Sequence, residues 1–132
     1  MNVEILTKDE ILNDGIEFDG RNLYCKMFID IRCAREELID IIVKLTDGEK
    51  ELFRTINAYF GEIDVNENSG FYANEARDDS FLYYKFYLDI APKPQIGATE
   101  YISNVKKIMK YFISQNINVA AACDFEDELT GV

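Results

Sequence analysis

Between Ile31 and Ala34 the spacing of apolar residues changes from two to about 3.6, and this change constrains the fold more than any other feature of the chain. Upstream, Leu23, Cys25, Met27, Ile29 and Ile31 fall on one face of an extended segment, with Tyr24, Lys26, Phe28 and Asp30 on the other. Downstream, Ala34, Leu38, Ile41, Ile42 and Leu45 recur at helical spacing, with Arg35, Glu36, Glu37, Asp40 and Lys44 between them, and Gly48 ends the run. The main body of the chain therefore begins as strand, then helix.

The remaining segments extend this alternation. FRTINAYFGEIDV, residues 53–65, reads as mostly strand with Gly61 at a bend or bulge, while the overlapping EKELFRTI suits either a further helical turn or the start of that strand. FLYYKFYLDI, residues 81–90, is apolar or aromatic on both faces, the pattern of a central strand covered on one side with tyrosine hydroxyls reaching water on the other. APKPQIGA, with its two prolines, is a loop. Ile102, Val105, Ile108, Met109, Phe112 and Ile113 form an apolar stripe that predicts a helix over residues 99–115, with Lys106, Lys107 and Lys110 opposite it and Asn116 just past its end. INVAAACDF follows as a short strand whose small residues suit close packing under helices. Ahead of the first strong strand, TKDE (Thr7 to Glu10) is a capping box for a short helix over residues 8–13, and Asp19-Gly20 is a hairpin signal. The strong elements thus run strand, helix, strand, strand, helix, strand. This is the split βαβ, ferredoxin-like order of an α+β domain, in which two helices cover one face of a four-stranded antiparallel sheet. The N-terminal helix and hairpin arm are additions to it, and residues 1–132 form one domain with no repeat or linker.

Charge restricts the partners. Twenty-five acids against 14 bases give a net charge of -11, a field that repels phosphate backbones and anionic headgroups within a Debye length of about 8 Å. Direct nucleic-acid binding and membrane-surface binding are disfavoured; basic proteins, polycations and metal ions are favoured, and acidity for solubility alone gives the same composition. The N-terminal stretch MNVEILTKDEILNDG has neither a basic region nor a long apolar run, so the reading is a cytoplasmic protein.

The chain contains no histidine, which removes Ser-His-Asp and Cys-His nucleophiles and imidazole-based metal sites. Cys25, Cys33 and Cys123 are odd in number and lack CxxC spacing, so they read as reduced, mostly buried thiols; Arg32 and Arg35 beside Cys33 are the one electropositive hint of redox chemistry. Any catalysis would rest on carboxylates, Lys, Tyr or Cys, and no catalytic residues and no cofactor are assigned.

Three constellations stand out. In DVNENSGFYANE, residues 64–75, Asp64, Asn66, Asn68 and Glu75 occupy most of the oxygen-ligand positions of an EF-hand loop. The glycine comes one place late, at Gly70 behind Ser69, and the flanks are strand-like, so the segment reads as a loop between two middle strands with these residues as weak metal candidates. In CDFEDEL, residues 123–129, Asp124, Glu126, Asp127 and Glu128 repel one another and gain when a cation or basic partner neutralises them. That segment is open to three readings: a solvated acidic tail, a docking surface, or a metal or acid/base site. Phe81, Tyr83, Tyr84, Phe86 and Tyr87, with Tyr59, Phe60, Phe71 and Tyr72, either fill core and cross-strand pairs or anchor an interface. Sheets that stack RNA bases back such aromatics with basic residues, and here the charge has the wrong sign.

The ending INVAAACDFEDEL resembles the closing strand of small acidic bacterial immunity proteins of polymorphic-toxin systems, over about a tenth of the chain. Asp124, Glu126, Asp127 and Glu128 match the acidic motif of that family. The resemblance implies a non-enzymatic, cytoplasmic protein that occludes a cognate toxin domain, often a basic nuclease. The expectation is a binder of a basic protein, using those four acids with Tyr83 and Tyr87; the alternatives are a small ligand- or metal-binding regulatory domain of ferredoxin-like type and a carboxylate-dependent enzyme. The oligomeric state is left open.

Overall fold

A computed structural model describes residues 22–74 and 79–129. Along the chain it places β1 (Cys25–Asp30), α1 (Arg35–Thr46), β2 (Glu49–Lys50), β3 (Thr55–Ala58), β4 (Gly61–Glu67), α2 (Ser69–Tyr72), a 3-10 turn (Phe81–Tyr83), β5 (Phe86–Pro92), α3 (Ala98–Ser114), β6 (Asn118–Ala122) and α4 (Glu126–Leu129). The strands form one antiparallel sheet in the order β2-β3-β4-β5-β1-β6. The α+β class holds. Among the described residues the sheet has six strands where four were predicted.

The two additional strands come from hairpins that hydrophobic spacing does not reveal. Glu51 N–H donates to Thr55 O at 2.7 Å and Thr55 N–H to Leu52 O at 3.2 Å, while Phe53 takes a left-handed φ of 57°, so the ambiguous EKELFRTI closes as the β2–β3 turn. The run expected as one strand over residues 53–65 doubles back at Tyr59 and Phe60, leaving Ala58 opposite Gly61. Gly61 marks a close approach rather than a bulge: a Cβ there would stand 2.4 Å from Ala91 O of β5.

β5 starts at Phe86, five residues later than the aromatic run suggests, and takes in Ala91 and Pro92. The reason is Asn68, which is 9% exposed and whose side-chain amide donates to Leu82 O at 2.9 Å and Tyr84 O at 2.7 Å. Those carbonyls are therefore turned away from a ladder, and Ser80 Oγ accepts from Leu82 N–H at 3.3 Å to start the 3-10 turn instead.

One face of the sheet carries the core. Cys25, Met27 and Ile29 of β1, Ile63 and Val65 of β4, and Phe86, Leu88 and Ile90 of β5 are buried with Leu38, Ile39 and Ile42 of α1 and Tyr101, Val105, Ile108 and Phe112 of α3. α1 begins where Ala34 N–H donates to Glu37 Oε1 at 2.9 Å and ends at Asp47, whose φ of 54° turns the chain. Tyr101 is the one hydroxyl in this core cluster, and it donates to Ile90 O at 3.0 Å; burial raises its pKa above the usual value near 10.

The predicted N-terminal helix and hairpin arm lie outside the described residues. β1 is flanked by β5 and β6, with Met27 opposite Leu88 and Ala121, so both pairing sides of β1 are taken along residues 26–29. The C-terminal segment is anchored at two apolar residues while its four acids stay exposed: Phe125 and Leu129 are 1% and 2% exposed, and the Phe125 ring meets Tyr101 edge-on at 5.9 Å. Leu129→Ala and Phe125→Ala should each cost about 2–5 kcal/mol in urea-unfolding free energy, whereas Glu128→Gln should shift it by under about 0.5 kcal/mol. A wild-type midpoint for Leu129→Ala would mean that α4 is not part of the fold.

Candidate protein-binding surface

α3 ends at Gln115, Asn116 turns the chain with a φ of 60°, and Ile117 N–H donates to Phe112 O at 2.9 Å, which starts β6 along the sheet edge. After β6, Glu126 N–H donates to Cys123 O at 3.3 Å, and the short α4 follows. Because Phe125 and Leu129, four apart, point into the core, Asp124, Glu126, Asp127 and Glu128 are turned to solvent. Asp124 Oδ2 accepts Asn22 N–H at 3.2 Å. A trough of about 620 Å³ runs beside β6, lined by Val119 to Cys123 with Phe81, Met109, Asp124 and Glu126.

The face of the sheet opposite the helices is built from the polar alternation of β1, β4 and β5. Phe28 lies there and is nevertheless 7% exposed, because Phe81 covers it edge-on at 5.2 Å and Tyr87 sits beside it at 5.9 Å. Lys26 Nζ stands 4.5 Å from the Tyr87 ring centroid and 5.9 Å from that of Phe28. Beyond them Asp89 accepts from the Tyr24 hydroxyl and from Asn66 Nδ2 at 3.0 Å. Burial first, and then the hydrogen bond to Asp89, hold the Tyr24 hydroxyl well above its usual pKa near 10. Phe81 is the hinge of the surface, touching Phe28 on the open face and lining the trough along β6.

The residues singled out by sequence are distributed as follows. Asp124 and Glu126 line the trough, and Asp127 and Glu128 lie on α4 beside it. Tyr87 reaches the same surface through Phe28 and Phe81, whereas Tyr83 lies in a separate cleft of about 850 Å³ with Arg32, Phe71 and Tyr84. There Arg32 pairs with Asp30 at 3.2 Å and stacks over Phe71 at 4.9 Å. Tyr84 titrates above its usual value because of burial, then the charges of Asp30 and Asp79. Phe81 belongs to the aromatic run singled out by sequence, whereas Phe28 and Lys26 were read only as members of the outer face of β1. Their signal was present, since an aromatic and a lysine on the polar face of β1 need a partner other than the core.

Of the candidate metal ligands, Asp64 and Asn66 lie on β4, where Asp64 accepts the Thr55 hydroxyl at 2.6 Å and Asn66 donates to Asp89. Asn68 caps α2, accepting Gly70 N–H at 3.0 Å, and Glu75 lies outside the described residues. Among the described residues no group of three or more Cys, Asp or Glu could hold a metal ion, and no helix is long and apolar enough to cross a membrane. The three cysteines are free thiols. Cys25 and Cys123 lie within hydrogen-bonding reach of each other, and burial pushes both thiols up, as it does Cys33, which is the reverse of the activation a redox cysteine needs. Comparison with protein-family models, curated proteins and solved structures finds no match.

The raised hydroxyls have a measurable sign. A tyrosine bound more tightly to its proton in the folded state contributes stability that is complete below its unfolded value near 10 and is lost as pH rises toward its folded value. In a spectrophotometric titration Tyr24, Tyr84 and Tyr101 should form a late-ionising class, and Tyr24→Phe should remove one residue from it. Asp89→Asn should move Tyr24 to lower pH while burial still holds it above its usual value; an unchanged late class in Tyr24→Phe would contradict the raised Tyr24 hydroxyl, and an unshifted Tyr24 in Asp89→Asn would contradict the hydrogen bond.

Proposed function

We propose that the protein is a non-enzymatic, immunity-like binding protein that occludes and neutralises a basic partner protein, a bacterial toxin domain in the reading implied by the C-terminal resemblance. The observation that carries this reading is the anchoring of α4 by Phe125 and Leu129, which holds Asp124, Glu126, Asp127 and Glu128 at the end of an exposed sheet edge next to the Phe81, Phe28 and Tyr87 cluster. An acidic rim beside aromatic anchors suits a basic protein surface. The net charge of -11 steers such a partner and speeds encounter, while it disfavours direct contact with nucleic acid or anionic membrane. A cytoplasmic site of action accords with this role. The four longest strands, ordered β4-β5-β1-β6 with α1 after β1 and α3 after β5, support a ferredoxin-like frame that carries β2 and β3 as an added hairpin.

The 850 Å³ cleft favours a second reading, a small ligand- or metal-binding regulatory domain, since Arg32, Asp30, Phe71 and Tyr83 converge there. Affinity capture separates the two. The tagged chain, drawn from its native cells and washed at low and then high salt, should retain a basic protein in about equimolar amount that high salt releases, and the quadruple Asn/Gln variant of Asp124, Glu126, Asp127 and Glu128 should retain less. Recovery of the chain alone from cells that express its partner would contradict the binding reading, and a ligand-dependent rise in Tm would then favour the cleft.

A further inference from the structure

The two edges of the sheet differ in kind. β2 ends it with two residues, Glu49 and Lys50, both exposed and charged, and short charged edges resist pairing with another chain. β6 ends it with five residues, Asn-Val-Ala-Ala-Ala, free of charge and of proline. Among the described residues β6 pairs with β1 alone, and no backbone hydrogen bond outside the β1 ladder involves residues 118–122. Alternate N–H and C=O groups of an edge strand point away from the sheet, so among the described residues this edge offers a row of backbone donors and acceptors outside any ladder.

From this contrast we infer that an extended basic segment of the partner adds to the sheet as a seventh strand along Asn118–Ala122. The inference rests on the binding reading above and specifies its mode. The trough beside β6 is the space such a strand would fill. Ala120 and Ala122 fall on the open face, opposite Phe28 and Lys26, and Val119 and Ala121 fall on the helix side, opposite Ile29 and Met27. Small side chains at these positions leave room on both faces for the alternating side chains of an incoming strand, with Phe81 as its contact on one face and Met109 on the other. Charge selects the occupant. Asp124 and Glu126 line the end of the trough past Ala122, so a Lys or Arg at that end of the added strand gains a counter-charge. A second copy of this chain, paired β6 to β6 about a twofold axis, brings no base to Asp124 and adds another charge of -11.

The test uses the full-length, isotopically labelled chain and a synthetic nine-residue peptide of alternating Val and Thr with two lysines at one end, alongside two controls. One control is the same peptide N-methylated at alternate residues on one edge, which keeps its charge and blocks a ladder; the other replaces the lysines by glutamates. The expected result is slowed exchange and shifted resonances of alternate amides in Asn118–Ala122 with the basic peptide, lost on N-methylation. Affinity should also fall about tenfold for D124N/E126Q, the size of two partly exposed charge pairs, with an unchanged melting temperature. Binding that survives N-methylation would overturn strand addition and leave the binding reading intact. Absence of binding, or β6 amides protected in the free protein in a concentration-dependent way, would overturn the inference in favour of an inert or self-paired edge, whereas the binding reading itself falls only with the capture experiment.

Discussion

Burial on a single face governs this molecule. The two long helices both lie on the side of Met27, Leu88 and Val65, so the opposite side of the same strands must be made acceptable to water, and the sheet has to end somewhere on each flank. The first demand is met by polar ladders, as where Tyr24 and Asn66 converge on Asp89 and Thr55 bonds Asp64. Where an aromatic residue occurs on that side, at Phe28, it recruits Phe81 and Tyr87 as cover, and the exposed cluster is the by-product. The second demand produces one blunted edge and one open one.

The C-terminal segment follows from the same constraint. Helix α3 packs in the core cluster and leads to β6, and Phe125 closes against Tyr101 near its N-terminal end, with Leu129 buried in the same cluster. Burying about two large side chains is enough to hold a four-residue helix that could not persist alone. The backbone that carries its acids is thereby held against the core, and in the proposed role this lowers the entropic cost of binding.

Much of this was legible in the sequence. The alternation of Cys25, Met27 and Ile29 and the stripe of Val105, Ile108 and Phe112 place β1 and α3 to within two residues, because in each the apolar period is unbroken and one face is fully buried. Illegible were features decided by single backbone contacts. The turn at Phe53 relies on a left-handed residue that is not glycine, and the late start of β5 relies on the buried amide of Asn68, fourteen residues away from the carbonyl it holds. In the candidate surface, the acids of CDFEDEL were visible by composition, but Phe125 read as the end of the closing strand, which stops at Ala122, and Leu129 as a member of the acidic run; their spacing of four was the signal of a helical turn with an inner side. Tyr83 and Tyr87 looked alike in an aromatic stretch and face different surfaces because the chain changes from a 3-10 turn to a strand between them.

The proposed interface comprises the β6 edge, the Phe81 cluster and α4. The most direct measurement is hydrogen exchange of the complex formed with the captured partner, read peptide by peptide against the free chain. New protection should concentrate in residues 79–90 and 117–129, with little change along the outer side of α1. Protection confined to the Arg32 and Phe71 cleft or to the helices, with β6 exchanging as in the free protein, would contradict it.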